Sequence, residues 1–161
     1  MSTSFYDPRT FDSRGSLGYL LKTAHAQMHA YADRIFAGHD VSFVQWIALL
    51  KLREGHMLTA SDLCRAMCHD NGAVTRMLDY LESRGYVERQ RSQQDRRVVE
   101  LRLTDAGGRK LDELLPMVVD GLNAVINQAG FSTAEFNELS RLLNKLLTGM
   151  QSFPAAAEGN P

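Results

Sequence analysis

Two cysteines, Cys64 and Cys68, are all that this chain of 161 residues contains, too few for a disulfide scaffold. No apolar run approaches the length of a membrane span. The start, Met1-Ser2-Thr3-Ser4-Phe5, lacks the cationic opening and apolar core of a secretory signal. Together these absences predict a cytoplasmic chain with no membrane partner. There is no glycine-rich phosphate loop, nucleophile elbow or metal-hydrolase spacing, and the Ser, His and Asp residues do not suggest a triad. The expectation is a non-enzyme that needs no cofactor. Strong charge of one sign is also missing: the formal net charge is −1. A globally basic protein is thereby excluded, and any polyanion partner has to be held by a local patch.

What is present is a helical pattern. Apolar residues make up 44 % of the chain, which argues against wholesale disorder. Only Met1 to Asp12 and Ser152 to Pro161 read as ends that fray. From Ser16 to Phe36, Leu17, Leu20, Leu21, Ala24, Met28, Tyr31 and Ile35 recur at helical steps. Gly38 follows at a helix stop. Ser42 and Gln45 form a candidate capping box before a second helix with Phe43, Trp46, Ile47, Leu49 and Leu50, ending before Gly55. Thr59 to Asp62 opens a short helix that turns Leu63, Ala66 and Met67 inward. Cys68 to Gly72 reads as a turn with Asp70 as the next N-cap, followed by a helix with the stripe Val74, Met77, Leu78 and Leu81.

The most informative segment comes next. Tyr86–Arg91 and Val98–Leu103 read as two short strands around a polar tip, the second alternating with period two. Between Arg84 and Arg102 there are six arginines against three acidic residues, a concentration of positive charge expected of a phosphate-contacting element. Helix, turn, helix and basic hairpin in that order predict a winged helix-turn-helix, which implies a duplex DNA partner. Candidate DNA-binding residues are Asn71, Gly72, Ala73, Thr75 and Arg76 at the start of the groove-reading helix, and Arg91, Asp95, Arg96 and Arg97 on the wing. Asp95 is expected to hold one neighbouring arginine by a bidentate pair and aim the other at the minor groove.

Thr104 is a candidate cap for a long helix from Asp105 with Leu111, Leu114, Leu115, Val118, Val119, Leu122, Val125 and Ile126 on its apolar face. Pro116 inside it predicts a kink or a break just before it. Ser132 to Glu135 is a further capping box, preceding Phe136, Leu139, Leu142, Leu143, Leu146 and Leu147. The fold class is therefore mainly α with a small β-hairpin. It is one domain, 1–161, whose lobe 42–104 binds DNA. Segments 13–37 and 105–150 form a helical dimerisation region.

The run from Gly72 to Arg89, then Asp95-Arg96-Arg97, then Leu101-Arg102-Leu103-Thr104-Asp105-Ala106-Gly107, resembles the MarR family of bacterial regulators, with matching element order from about Leu17 to Leu147. The resemblance implies a homodimer and a pseudo-palindromic operator, usually repressed. It also implies release by a small ligand, often an aromatic carboxylate or phenol, bound between the DNA lobe and the dimer base. On the matching positions it gives Thr75 and Arg76 the recognition-helix roles, Arg96 the minor-groove role and Asp95 its support.

The signal that releases such a regulator is less legible. His25 and His29, one helical turn apart, and Trp46 are the candidate ligand-binding residues. A zinc-responsive alternative uses His25, His29, His39, His56, His69, Cys64 and Cys68, without a compact cluster. A redox-responsive alternative uses the cysteines. Peroxide-sensing relatives carry a reactive cysteine near the start of the first helix, and none stands there in this chain. Cys64 reads as a small buried hydrophobe.

Overall fold

The computed structural model describes residues 4–55 and 59–152. They fall into two compact units that divide between Val118 and Val119. In the first, a 3-10 turn at Ser13–Gly15 precedes α1 (Leu17–Ile35), α2 (Phe43–Gly55), α3 (Ala60–Met67), α4 (Asn71–Ser83), β1 (Val87–Arg91), β2 (Val99–Leu103) and the start of α5 (Asp105–Gln128). The rest of α5 and α6 (Thr133–Gln151) belong to the second. Among the described residues no helix is long and apolar enough to cross a membrane.

Polar caps set the helix starts. Ser16 accepts from the Tyr19 amide at α1. Ser42 and Gln45 bond reciprocally at α2, with Ser42 N donating to Gln45 Oε1 at 2.8 Å. Thr59–Asp62 and Ser132–Glu135 close full capping boxes at α3 and α6, and each satisfies two amides that the first helical turn leaves without intrahelical partners. The N-terminal segment differs from expectation. Residues 4–12 are tied locally: the Tyr6 hydroxyl accepts from the Leu17 amide at 2.9 Å, and its ring meets Phe11 edge-on at 5.7 Å. An orphan amide of α1 is thus satisfied by a tyrosine that composition alone left without a role. The fraying expected of residues 153–161 lies outside the described residues.

The core of the first unit joins Trp46, Ala48, Leu49 and Leu52 of α2, Leu63 and Cys64 of α3, Val74, Met77, Leu78 and Leu81 of α4, Val87, Leu101, and Leu111, Leu114 and Val118 of α5. The stripe predicted for α4 is buried as read. On α3 the expectation for Ala66 needs correcting: it is exposed, while Cys64 is buried beside Leu63 as read. An eight-residue helix buries only a narrow arc, and Leu63 and Cys64 lie at its centre.

The antiparallel hairpin pairs Val87 with Leu103, Arg89 with Leu101 and Arg91 with Val99. Val87 and Leu101 are buried, whereas Val99 is 44 % exposed, because the tip half of the hairpin extends beyond the body. At its base, Thr104 Oγ1 donates to the Gly85 carbonyl at 2.7 Å and accepts from the Gly107 amide at 3.1 Å. Thr104 therefore caps α5 and closes the hairpin at once. Gly85, at φ +72°, makes the reversal between α4 and β1 in a conformation that favours glycine. Helix α5 runs through Pro116 without the break allowed for above. Pro116 is exposed, and the carbonyl it deprives of a donor belongs to the exposed Asp112, where water can serve.

In the second unit no α6 residue is buried. Phe136, Leu139, Leu142 and Leu147 are 41–57 % exposed.

Candidate nucleic-acid interface

Helices α3 and α4 are joined by a turn of three residues, Cys68 to Asp70. Cys68 closes α3 in a left-handed conformation, φ 53° and ψ 42°, which lets the His69 amide return to the Cys64 carbonyl at 3.1 Å. Asp70 then caps α4, its carboxylate accepting from the Ala73 amide at 2.8 Å. That carboxyl is held below the usual range by the Ala73 amide first, then by the Gly72 amide and the positive charge of Arg76. Asn71 and Gly72, expected both in the turn and at the start of the groove-reading helix, are the first two residues of that helix.

Asn71, Gly72, Thr75 and Arg76 are exposed along one side of α4, and Ala73 is half-buried. Thr75 Oγ1 donates to the Asn71 carbonyl at 2.8 Å. Its oxygen lone pairs and methyl group remain available for a base edge.

On the wing, Asp95 does not work as predicted. It accepts the Arg97 backbone amide at 2.9 Å, and its own carbonyl accepts from Val98 N at 2.9 Å. A short aspartate reaches its own backbone two residues on more readily than a neighbouring guanidinium that projects outward. Asp95 therefore shapes the tip. Among the described residues Arg91, Arg96 and Arg97 have no carboxylate partner.

The other arginines of the basic segment are held within the protein. Arg84 Nη2 lies 2.7 Å from Asp40. Arg89 spans Asp79 at 2.6 Å and Glu82 at 2.7 Å. Arg102 lies 3.8 Å from Glu100. The positive charge is thus concentrated at the tip by the fold rather than by the sequence.

Sequence reading passed over Asp40. In the α1–α2 loop its carboxylate accepts from the Tyr86 hydroxyl at 2.6 Å and from Arg84, and it stands 3.5 Å from Lys110. Its carbonyl accepts from the Tyr80 hydroxyl. The Tyr86 hydroxyl, then the Arg84 guanidinium and Lys110, bring its pKa down to about 2. One loop residue thereby ties α4, the wing base and α5 together. No local motif marks it, because all four partners are distant in sequence.

The candidate ligand residues are arranged unevenly. The His25 and His29 rings are 6.0 Å apart, and His29 meets Phe43 edge-on at 5.9 Å while its Nδ1 lies 3.1 Å from Asp33. Trp46 is buried, with its ring 6.3 Å from Phe36 and its Nε1 3.5 Å from the Leu111 carbonyl. It is part of the core, whereas His25 is exposed. Cys64 is buried and Cys68 exposed. His56 lies outside the described residues. Among those described, no group of three or more His, Cys, Asp or Glu converges.

A helix-turn-helix followed by a two-stranded wing with cationic tip residues defines a winged helix-turn-helix protein, a DNA-binding fold. The sequence model of the MarR family matches residues 41–99. The chain is 31 % identical over 118 residues to the transcriptional repressor MprA of Escherichia coli K12, covering 72 % of this chain and 66 % of MprA. It is 33 % identical to the regulator TtmR of Methylorubrum extorquens, covering 74 % of this chain and 61 % of TtmR. It therefore spans less than two thirds of the length of these relatives, 66 % and 61 %. A MarR mutant from E. coli, solved in complex with operator DNA, superposes with a TM-score of 0.74 at 27 % identity, over 85 % of this chain and 99 % of that one. This chain belongs to the MarR family of transcriptional regulators, whose members are not enzymes.

Proposed function

We propose that two copies of this chain form a homodimer that represses transcription from a pseudo-palindromic operator, and that a small ligand such as an aromatic carboxylate or phenol releases it. The observation that carries the DNA reading is the pairing of an open first turn of α4, with Asn71, Thr75 and Arg76 exposed, with a wing whose Arg91, Arg96 and Arg97 have no carboxylate partner among the described residues. An unpaired guanidinium loses no protein contact on meeting a phosphate or a narrow minor groove. Repression follows the name of MprA, and the operator follows the MarR complex.

Dimerisation is supported by two apolar surfaces. Helix α1 exposes Leu17, Tyr19, Leu20 and Met28. The segment from 119 onward exposes Val119, Leu122, Phe136, Leu139, Leu142, Leu147 and Met150. A second copy of the same region covers these exposed apolar side chains. The ligand reading rests on His29 beside Phe43, with the His25 ring next to His29, a group that offers hydrogen-bonding and aromatic contact to a planar acid.

Enrichment of duplexes from a random-sequence pool, followed by anisotropy titration, tests the DNA reading. Arg96→Ala weakens binding by about tenfold or more while leaving the dimer folded; unchanged binding removes the wing assignment. Thermal shift against aromatic acids, phenols, Zn²⁺ and peroxide separates the ligand reading from its zinc and redox alternatives, because a ligand specific for the native state raises its melting temperature.

A further inference from the structure

Arg89 belongs by sequence to the basic wing, yet its geometry gives it different work. In the hairpin register Arg89 lies opposite Leu101. Residues directly opposed in an antiparallel ladder share a face, and Leu101 is 1 % exposed. Arg89 therefore stands on the face that looks back at the body. There its two terminal nitrogens are taken separately: Nη2 by Asp79 and Nη1 by Glu82, both on α4. Arg91, two residues further along the same face and opposite the exposed Val99, has passed the edge of the body and has no such partner among the described residues.

This fork has two consequences. It fixes β1 against α4 at two points, so the wing and the groove-reading helix move as one body. It also neutralises two carboxylates on the helix that carries Asn71, Thr75 and Arg76. All three side chains are partly exposed, and exposed ion pairs add little to stability. The consequence lies in orientation: a planar guanidinium held by two carboxylates defines an angle that a single ion pair does not.

We infer that Arg89 is a positioning residue for sequence-specific DNA recognition, locking the wing to the recognition helix through Asp79 and Glu82, and is not a phosphate ligand. The inference rests on the DNA-binding reading above. It also divides labour within the basic segment. Arg91, Arg96 and Arg97 grip the duplex. Arg89 sets the geometry in which the helix and the wing reach it together.

The discriminating readout is the ratio of affinity for an enriched duplex to that for a scrambled one. A phosphate contact supports both duplexes alike, so its loss weakens both and leaves the ratio unchanged. Loss of a residue that aligns two base-reading elements lowers the ratio. Arg89→Gln is expected to reduce it by about tenfold, while Arg91→Gln weakens both duplexes together. Arg89→Lys retains one of the two ion pairs and gives an intermediate ratio. Exchanging the charges, Arg89→Glu with Asp79→Arg, again places one cation between two carboxylates at unchanged net charge. It is expected to restore the ratio to within about threefold of the starting chain.

Circular dichroism and melting temperature establish that each variant is folded. If the exchange variant is not, the Gln and Lys variants decide alone. Equal weakening of both duplexes by Arg89→Gln overturns the inference in favour of a phosphate contact. No change in either overturns it in favour of an idle ion pair. A folded exchange variant with an unrecovered ratio also overturns it. Should the starting chain enrich no duplex, the DNA-binding reading fails first, and the inference with it.

Discussion

A methyl group placed on Gly107 would lie 2.2 Å from the carbonyl oxygen of Tyr86. That oxygen already accepts the Thr104 amide at 3.1 Å, so it cannot easily withdraw. The first turn of α5 is thus pressed against the base of the wing at a spacing only glycine allows, and this is the physical content of the Leu-x-Leu-Thr-x-x-Gly run at 101–107.

Gly107→Ala therefore forces backbone apart and is expected to cost about 3 kcal/mol or more in urea unfolding. Gly108→Ala is its control, since nothing lies within 4 Å of a methyl group there. In a helix that change is neutral or stabilising by up to about 1 kcal/mol. Equal effects at the two positions would show that the close approach does not govern stability.

Asp40 makes stability depend on pH at the acid end. Its pKa is depressed from 3.8 to about 2, mainly by the Tyr86 hydroxyl and then by Arg84 and Lys110. The charged form is thus favoured in the folded state. The associated stabilisation is present above the unfolded value and is lost as pH falls through that interval toward about 2. It amounts to about 2 kcal/mol at most. Asp40→Asn should lower stability at neutral pH and flatten the acid limb of the stability curve. A variant whose acid limb matches that of the starting chain would exclude Asp40 as its source.

Cys68 holds a left-handed conformation without being glycine, at a cost of about 1 kcal/mol. Cys68→Gly is expected to raise the denaturation midpoint, and Cys68→Val to lower it, since a β-branched residue tolerates that conformation least. Failure of the valine variant to lose stability would indicate that the turn relaxes at no cost.

Thr75→Val retains a methyl group and removes the hydroxyl that donates to the Asn71 carbonyl. If Thr75 reads a base edge, the variant changes which duplexes are enriched more than it changes the tightest affinity. A uniform loss across sequences would remove Thr75 from the reading set.

Much of this architecture was legible from the chain alone. The caps at Ser42, Thr59, Asp70, Thr104 and Ser132 follow from local rules in which a residue and its partner lie within four positions, and the stripe of α4 and the hairpin follow from the period of their apolar residues. Reading failed where a local choice had competitors of similar energy. Ala66 is small and lies near the inward arc of α3, and only the packing of α3 against its neighbours leaves it exposed while Leu63 and Cys64 are buried. Asp95 had two kinds of donor within reach, and the nearer backbone amide of Arg97 took precedence over the side chains.

The sequence by itself determined the order of helices, the wing and the presence of six arginines around it. Which of those arginines face outward was decided only by tertiary structure. Arg89 meets Asp79 and Glu82 across two elements, and Arg84 meets Asp40 across 44 positions. A charge count cannot anticipate such pairings, because a guanidinium is available to DNA only when folding brings no carboxylate to it.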